Sequence, residues 1–397
     1  MPEETMTTEL PMLLVWVIKT VVIFGALISA AGLTTLAERK VSAWIQYRVG
    51  PNRVGPFGLL QPLADGVKFI FKEELVPDGA NRLMFRLAPI ITAAPAMLCI
   101  AVIPFAGEVV IGDYNLGNLS ITDLSISVLY VGALTGLGIY GIILGGWSSN
   151  SKYSLMGALR ASAQMVSYEL TLLLAILAVV LMSGSLDLRS IAETQAIASE
   201  GNYAIWNMFL QPVAFVLFII AMFAETNRHP FDFAECEPEL VGGFHTEYSS
   251  MKFALFFLGE YCAIIVMCCL VTTFFLGGYD VPFWEGAPWF IQLASFVAKA
   301  TAFVFLFIWV RWTLPRFRYD QLMGLGWKVM LPIALVNVTV TGAVVSFGLS
   351  PLLMPIFAIG ALVPAVMLFA QVKPGEASVT GGAQPEKGAL SEKGAVS

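Results

Sequence analysis

Residues 12–36 read MLLVWVIKTVVIFGALISAAGLTTL, and this stretch contains a single charged side chain, Lys19. About 20 mostly apolar residues are enough for a helix to cross the hydrocarbon core of a bilayer. The residues before the stretch are acidic (Glu3, Glu4 and Glu9), whereas a cleaved signal sequence begins with basic residues and has a shorter apolar core. We therefore predict a membrane-spanning helix that the protein retains.

Similar apolar stretches recur along the chain. After the first they cover 83–107, 122–147, 156–184, 206–228, 251–277, 289–313 and 327–348, and a further one, 351–371, follows directly. None shows the short alternating pattern of a membrane β-barrel. The sequence predicts an all-α polytopic membrane protein with eight core transmembrane helices and a ninth one at the C-terminal side.

These stretches divide the chain into three regions. We expect residues 1–348 to form one membrane domain and residues 349–372 to form the additional transmembrane helix. Residues 373–397 are rich in Gly, Ser, Ala, Lys and Glu and cannot bury a core. We predict that they form a disordered cytoplasmic tail.

The composition excludes some classes of function. The chain is 57% hydrophobic and 13% charged, and its net charge of -6 offers no broad basic surface for nucleic acid. The cysteines lack the spacing of a zinc or iron–sulfur site, so we expect no metal centre; they are Cys99, Cys236, Cys262, Cys268 and Cys269.

Basic residues indicate the orientation, because loops rich in Lys and Arg stay on the cytoplasmic side. The loop after the first span and the later odd-numbered loops hold nearly all of them, among them Arg39, Lys40, Arg48, Lys68, Lys152, Arg228 and Arg316. The even-numbered loops hold almost none except Arg189. We expect the N-terminus outside a bacterial cell membrane and the odd-numbered loops in the cytoplasm.

The first cytoplasmic loop contains an amphipathic segment. Apolar residues recur at helical spacing while polar ones occupy the opposite face; the apolar set is Leu60, Leu63, Ala64, Val67 and Phe71, and the polar set is Gln61, Asp65, Lys68 and Lys72. This pattern predicts an amphipathic helix at the cytoplasmic membrane surface. A helix that merely rests on lipid headgroups is an open alternative.

The third cytoplasmic loop is dense in acidic residues. It reads AETNRHPFDFAECEPELVGGFHTEYSS and carries Glu225, Asp232, Glu235, Glu237, Glu239 and Glu247 beside Arg228, His229 and His245. Crowded, partly buried carboxylates raise one another's pKa values and can then pass protons. A solvated acidic loop without function is the alternative.

Ionisable residues also lie inside predicted spans. Glu169 falls within the fourth span and Glu260 within the sixth, where a carboxylate is costly unless it faces a polar cavity. Lys299, deep in the seventh span, is a plausible partner for one of them. Together with the acidic loop, the two glutamates indicate a proton route from the cytoplasm toward the bilayer centre.

Four blocks of this sequence resemble the H-subunit family of bacterial NADH-quinone oxidoreductase, or complex I, whose mitochondrial counterpart is ND subunit one. The blocks are AERKVSAWIQYRVGPNRVGPFGLLQPLADGVKFIFKEELVP, GWSSNSKYSLMGALRASAQMVSYEL, AETNRHPFDFAECEPELVGGFHTEYSSMKFALFFLGEY and RWTLPRFRYDQLMGLGWK. The resemblance runs from the first span to the eighth, and blocks of this length are highly specific.

The resemblance implies a membrane subunit that forms a quinone tunnel with the peripheral arm and couples quinone reduction to proton translocation. It implies ubiquinone or menaquinone as substrate, with flavin, iron–sulfur clusters and NADH on partner subunits. The implied partners are peripheral quinone-site and iron–sulfur subunits, antiporter-like and small membrane subunits, and membrane lipids.

Site residues are implied in the same way. The tunnel residues are Arg39 and Lys68, with Glu38 and Trp44 as secondary candidates. The proton route comprises Glu169, Glu225, Glu235, Glu237, Glu239, Glu247 and Glu260. Arg311, Arg316 and Arg318 would balance this acidity or anchor partner subunits.

The chain departs from the family pattern at two places. It adds the ninth span and the tail, and it has no Asp or Glu between Asp123 and Glu169, where some relatives carry a membrane acid in span three. Three other functions stay open: a membrane subunit of a hydrogenase-type or formate-oxidising complex, a stand-alone secondary transporter, and a purely structural anchor for the peripheral arm.

Overall fold

Long apolar helices make up most of the structure, a computed structural model that describes residues 12–111, 114–195, 205–233, 241–282, 284 and 286–360. The α-helices are α1 (Met12–Ile45), α2 (Gln61–Phe71), α3 (Arg82–Leu98), α4 (Ser127–Ser148), α5 (Lys152–Ser183), α6 (Leu188–Thr194), α7 (Asn207–Leu210), α8 (Pro212–Glu225), α9 (Ser250–Phe275), α10 (Trp289–Thr313), α11 (Tyr319–Gly324) and α12 (Leu331–Ser346). A π-helical stretch, Leu325–Met330, joins α11 to α12.

Within the described ranges, 7 helices are long and apolar enough to cross a membrane. They are α1, α3, α4, α5, α9, α10 and the continuous helix Tyr319–Ser346. The prediction of an all-α polytopic membrane protein is confirmed.

Two predicted spans are shorter than expected. The stretch 206–228 contains α7 and then α8, which has 14 residues and so a length of roughly 21 Å at 1.5 Å per residue, against a hydrocarbon core of about 30 Å. The helix breaks at Gln211 because Pro212 follows it and has no N–H to donate. Of the ninth span only Pro351–Gly360 is helical within the described residues; residues 361–372 and the tail 373–397 lie outside them.

The polar break at Gln211 is satisfied inside the bundle. Its side-chain Nε2 donates to Thr341 Oγ1 at 3.0 Å, and its Oε1 accepts from Asn337 Nδ2 at 3.3 Å. Both partners lie on α12 and are buried. The short helix α8 is therefore fixed against α12 by side-chain hydrogen bonds as well as by apolar packing.

Contacts between loops divide the bundle into two ends. At one end, which we call the site end, Asn81 N donates to Ser148 O at 3.1 Å and Arg316 pairs with Asp232 at 2.8 Å. At the other end, Leu188 N donates to Ser127 Oγ at 2.8 Å. The odd-numbered loops, which carry most of the basic residues, thus meet at the site end.

A small antiparallel hairpin lies in the loop before α4, at the end opposite the site end. Its strands are β1 (Glu108–Ile111) and β2 (Tyr114–Asn118). Lys19 of α1 donates from Nζ to the carbonyl of Asn118 at 2.6 Å. Lys19, the one charged residue of the first predicted span, is therefore bound by the hairpin at the end of the bundle opposite the site end.

Close helix contacts depend on glycine. A Cβ at Gly141 of α4 would lie 2.6 Å from the backbone nitrogen of Thr92 on α3, and one at Gly259 of α9 would lie 3.0 Å from Ala93 Cα. Small residues let transmembrane helices approach until their backbones touch. These two glycines bring α4 and α9 against α3, and the cavity described below lies between these helices.

The expectation that Lys299 pairs with Glu169 or Glu260 is wrong for the residues that the structure describes. Its Nζ donates to the carbonyls of Leu276, Gly278 and Asp280 at 2.9, 3.1 and 2.7 Å. It also lies 4.8 Å from the ring centroid of Trp206. Lys299 therefore binds the C-cap carbonyl of α9 and two carbonyls of the loop that follows, a position where the helix dipole also favours a cation.

We predict that Lys299→Met destabilises the protein. The change removes the donor from three carbonyl groups, and a buried acceptor left without a partner costs about 1–3 kcal/mol. We expect the free energy of unfolding to fall by at least about 2 kcal/mol on that scale, seen as a lower melting temperature in detergent. Lys152→Met, which removes an exposed lysine at the start of α5, is the control and should leave the melting temperature nearly unchanged.

Candidate functional site

A cavity lies between α3, α4, α5 and α9 and reaches the loop segment before α9. The space that water can enter in this cavity has a volume of about 90 Å³. One water molecule requires about 10–15 Å³ of such space. The cavity therefore has room for several waters. Most lining side chains are apolar; the polar ones are Thr92, Thr135, Glu225, Thr226, Asn227, His245 and Glu260.

Glu225 enters this cavity as the last residue of α8. It is buried, and its Oε2 has no hydrogen-bond partner among the described residues. Gln164 of α5 fixes the backbone on both sides, since its Nε2 donates to Ala224 O at 2.9 Å and to Phe231 O at 2.8 Å. The carboxyl group is thus held in position by its backbone, and one of its buried oxygens has no partner among the described side chains and backbone groups.

Glu260 lies on the wall of the same cavity and forms a buried ion pair. Its Oε1 is 2.7 Å from Nε of Arg228. The Arg228 guanidinium also packs over the ring of Tyr261, 4.5 Å from its centroid. Arg228 is only 7% exposed, so its charge depends on these neighbours rather than on water.

Glu38 of α1 completes the group on the other side of Arg228. Its Oε1 lies 3.7 Å from Arg228 and pairs with Arg311 of α10, while its Oε2 accepts from the Tyr261 hydroxyl at 2.7 Å. We call Glu38, Arg228, Tyr261, Glu260 and Arg311 the ion cluster. Its two carboxylates and two guanidinium groups balance in charge, and Arg228 is the member that contacts both glutamates.

Glu169 of α5 is connected to the cavity through Thr135. The Thr135 hydroxyl lines the cavity and donates to Glu169 Oε1 at 3.4 Å. A Cβ at Gly136 would lie 3.1 Å from that same oxygen, so glycine leaves room for the carboxylate. Three of the predicted proton-route residues, Glu169, Glu225 and Glu260, are therefore brought into or next to one cavity.

The remaining predicted acids are not brought to the cavity. Glu247 is half-buried two residues after His245 and does not line it. Glu235, Glu237 and Glu239 lie outside the described residues. Asp232 pairs with Arg316, and Arg318 is an exposed residue 3.7 Å from Asp320.

The predicted tunnel residues separate into two groups. Arg39 pairs with Asp65 of α2 at 2.6 Å and its side chain is half-exposed. Trp44 and Lys68 are exposed at the end of α1 and on α2. Glu38 instead points inward into the ion cluster.

The amphipathic helix forms where it was predicted, as α2. Its apolar residues Leu63, Val67, Ile70 and Phe71 are exposed, and the polar side chain of Asp65 faces α1 through Arg39. Lys68 lies on the same helix as this apolar surface and Arg39 is paired with that helix, so these two tunnel candidates border a surface suited to lipid or to an apolar ligand.

Sequence reasoning missed the roles of two residues. Arg228 was grouped with the acidic loop without a partner, and Tyr261 was not singled out. Part of the signal was present in the sequence. Tyr261 follows Glu260 directly, and Arg228 follows Glu225 closely at the end of the predicted span 206–228. A carboxylate in a span needs a counter-charge.

The chain matches the NADH dehydrogenase family over residues 18–342. It is 48% identical over 327 residues to an NADH-quinone oxidoreductase H subunit of Cytophaga hutchinsonii, covering 81% of this chain and 94% of the relative. It is 51% identical over 334 residues to the NADH-quinone oxidoreductase H subunit of Leptospira biflexa, covering 81% and 92%. An NADH-quinone oxidoreductase H subunit of Geobacter metallireducens is 51% identical over 324 residues, covering 82% and 94%.

Proposed function

Because the chain belongs to the NADH dehydrogenase family and is a membrane subunit of an NADH-quinone oxidoreductase, we propose that it forms the membrane side of a quinone tunnel and passes the effect of quinone reduction to a chain of glutamates. The redox centres that oxidise NADH lie on partner subunits in this proposal. Quinone is the substrate, and this chain supplies binding surface, charge and proton-carrying groups.

One observation carries the proposal: Glu225 and Glu260 share a cavity large enough for several waters, and Glu260 is tied through Arg228 to Glu38. A carboxylate at membrane depth is costly unless it is paired or hydrated. Here Glu260 is paired, whereas Glu225, which also lines the cavity, has a buried oxygen without a partner among the described residues. This arrangement supports a proton path better than a purely structural ion pair.

The proposed coupling begins with the charge of the reduced quinone. Reduction adds electrons to the quinone before protons arrive, so negative charge develops near the ion cluster. That charge attracts the guanidinium groups of Arg228 and Arg311 and weakens the pairing of Arg228 with Glu260. Glu260 then takes up a proton from the waters of the cavity, and Glu225 and Glu169 pass protons onward to antiporter-like partner subunits.

We propose that the quinone enters beside α2. Lys68 lies on that helix among its exposed apolar residues, Arg39 is paired with its Asp65, and Trp44 is exposed near the end of α1. A quinone has a polar ring and a long apolar tail. A peripheral-arm subunit would cover this surface and complete the tunnel. Glu38 contributes from the inner wall, through the ion cluster.

The proposed location is a bacterial cell membrane, with the N-terminus outside and the site end in the cytoplasm. The excess of Lys and Arg in the odd-numbered loops supports this orientation.

The names of the relatives favour this function over a hydrogenase-type or formate-oxidising complex and over a transporter. Purification of the tagged chain in mild detergent should retain flavin and iron–sulfur subunits; a chain that purified alone would contradict it.

We predict that Arg39→Ala raises the apparent KM for quinone by about tenfold or more while the complex still assembles. Arg39 offers a guanidinium to the quinone ring in this proposal, and the loss of one charged hydrogen bond costs about 1.5–3 kcal/mol. Steady-state rates with a soluble quinone check this.

The matched control for Arg39→Ala is Asp65→Asn, which breaks the same ion pair but keeps the guanidinium. This pair is half-exposed and worth about 0–1 kcal/mol, so Asp65→Asn should keep the wild-type KM. An equal rise in both variants would mean that Arg39 only anchors α2.

The proton half of the proposal is tested by the number of protons translocated per NADH oxidised by the assembled complex in vesicles. Exchange of Glu225 for glutamine should reduce this coupled activity. Glu108→Gln, on the exposed outer hairpin, should leave it at the wild-type level.

A further inference from the structure

Among the described residues that line the cavity, His245 carries the one imidazole, and the proposed function does not use it. It lies in the 3-10 turn Gly243–His245 just before α9, and its side chain lines the same cavity as Glu225 and Glu260. It is one of 2 histidines in the chain. It stands where the cytoplasmic loop segment meets the carboxyl groups at membrane depth.

Tight packing fixes the turn that carries His245. Gly157 of α5 touches it so closely that a Cβ there would lie 2.8 Å from the backbone of Gly243. The hydroxyl of Thr246 donates to Gly243 O at 2.7 Å, and Tyr248 N donates to His245 O at 3.0 Å. The turn is therefore a rigid support for the imidazole rather than a mobile loop tip.

Three phenylalanine rings surround the imidazole. The ring centroids of Phe244, Phe253 and Phe257 lie 5.1, 5.3 and 5.9 Å from that of His245. Burial lowers the pKa of His245 to about 4, and the charge of Asp232 opposes this only in part. The ring is therefore neutral at physiological pH, with one nitrogen that donates a proton and one that accepts.

We propose that His245 is a proton relay between the cytoplasmic loop and the glutamates of the cavity. The inference rests on the proposed function and adds a residue to it. No other side chain among the described residues that line this cavity is a neutral group with both a proton donor and a proton acceptor on one ring. An imidazole is suited to this position because it can bind a proton at one nitrogen and release another proton from the other.

The transfer balances in protons and charge. The accepting nitrogen takes a proton from a water chain on the loop side, which gives an imidazolium ion. The other nitrogen then releases its proton through cavity water to the carboxylate of Glu225 or Glu260, which becomes neutral. The imidazole returns to its neutral form as the other tautomer and is reset by proton exchange with water before the next cycle.

The test compares two replacements in the assembled complex. His245→Phe keeps an aromatic ring among the phenylalanines, and His245→Asn keeps a polar side chain that can hydrogen-bond, but neither can relay a proton. General acid–base groups typically contribute 100-fold or more, and water can substitute in part, so we expect NADH:quinone turnover to fall by about tenfold or more in both. Wild-type turnover in either variant would overturn the relay.

Two readouts separate a relay from a structural role. Without a relay, proton delivery becomes rate-limiting, so the solvent deuterium isotope effect on turnover should be larger in the His245 variants than in the wild type. An unchanged isotope effect would contradict the proposal. Electron transfer from NADH to an artificial acceptor, which bypasses the quinone, should stay normal. His229→Asn, at the other histidine, is the matched control because that side chain does not line the cavity, and it should keep wild-type turnover.

Glu225→Gln in the same experiment distinguishes failure of the His245 relay from failure of the proposed function. If Glu225→Gln is impaired and both His245 variants turn over normally, the relay alone is wrong. If Glu225→Gln also turns over and pumps normally, the proposed function itself is wrong, and the relay is wrong with it.

Discussion

Arg228→Gln should greatly reduce the amount of assembled complex, because it leaves Glu260 buried without its counter-charge. Arg228 is 7% exposed and lies 2.7 Å from Glu260 and 3.7 Å from Glu38. Glu38 keeps Arg311 as a partner, but Glu260 has no second basic partner among the described ion pairs. Removal of one member of a buried pair typically costs about 3–5 kcal/mol, which is a large share of the stability of a domain.

The double variant Arg228→Gln/Glu260→Gln makes this prediction specific. It removes both charges, so most of the lost stability should return, while proton-coupled turnover stays low because Glu260 is gone. The control is Arg189→Gln, whose partly exposed pair with Glu193 lies within one helix and is worth about 0–1 kcal/mol at most. Melting temperature and yield of the purified complex measure the effect. A double variant as unstable as Arg228→Gln would show that Arg228 acts through its packing on Tyr261.

Glu225→Gln should lower NADH:quinone turnover by at least about tenfold with little change in assembly, which follows from the typical contribution of a proton-transfer group. Glutamine has nearly the same shape, and the backbone of this residue is fixed by Gln164 rather than by its own carboxyl group. The exchange therefore removes a proton-carrying group and little packing.

The conservative variant Glu225→Asp sharpens this second prediction. It retains a carboxyl group but withdraws it by one methylene, and water in a cavity of about 90 Å³ can bridge the gap. Partial recovery of turnover in Glu225→Asp relative to Glu225→Gln is expected. Wild-type turnover in Glu225→Gln together with a loss in Glu225→Asp would show that the position requires the length of the glutamate side chain and not its carboxyl group, which is a structural role.

Much of the fold was predictable from hydropathy because lipid imposes a single rule. Backbone polar groups within a bilayer must bond within their own segment, so long apolar stretches become helices. The short helix α8 was the exception. Residues 206–228 are apolar enough to span, but Pro212 breaks the helix and Gln211 supplies side-chain hydrogen bonds to α12 at the break, and composition alone does not show this.

The sequence was enough to predict the glutamates of the candidate site, but not the basic residue that pairs with Glu260. Glu169 and Glu260 were singled out because a membrane-depth carboxylate needs a reason, and Glu225 was singled out as part of the acidic loop. Glu225 and Glu260 line one cavity, and Glu169 lies next to it through Thr135. Lys299 was chosen as their partner because it is also charged and deep. In the structure, Lys299 instead binds the carbonyl groups just after the end of α9. The counter-charge of Glu260 is Arg228, which lies between Glu38 and Glu260.

The position of Glu38 shows a similar limit of sequence reasoning. Arg39 and Glu38 are neighbours in the sequence, and both were assigned to the tunnel wall. Adjacent residues on a helix point about 100° apart, so one faces Asp65 of α2 while the other faces Arg311 and Tyr261 inside the bundle. Only the rotation of α1 in the bundle decides which of them faces inward.

The most direct test of the account is the number of protons translocated per NADH oxidised by the complex in sealed vesicles, with Glu225→Gln compared with Glu108→Gln. We expect a wild-type ratio for Glu108→Gln. For Glu225→Gln we expect either turnover too slow to acidify the vesicles or a clearly lower ratio. Wild-type turnover together with a wild-type ratio in Glu225→Gln would contradict the proposal that protons reach the membrane through the glutamates of this cavity.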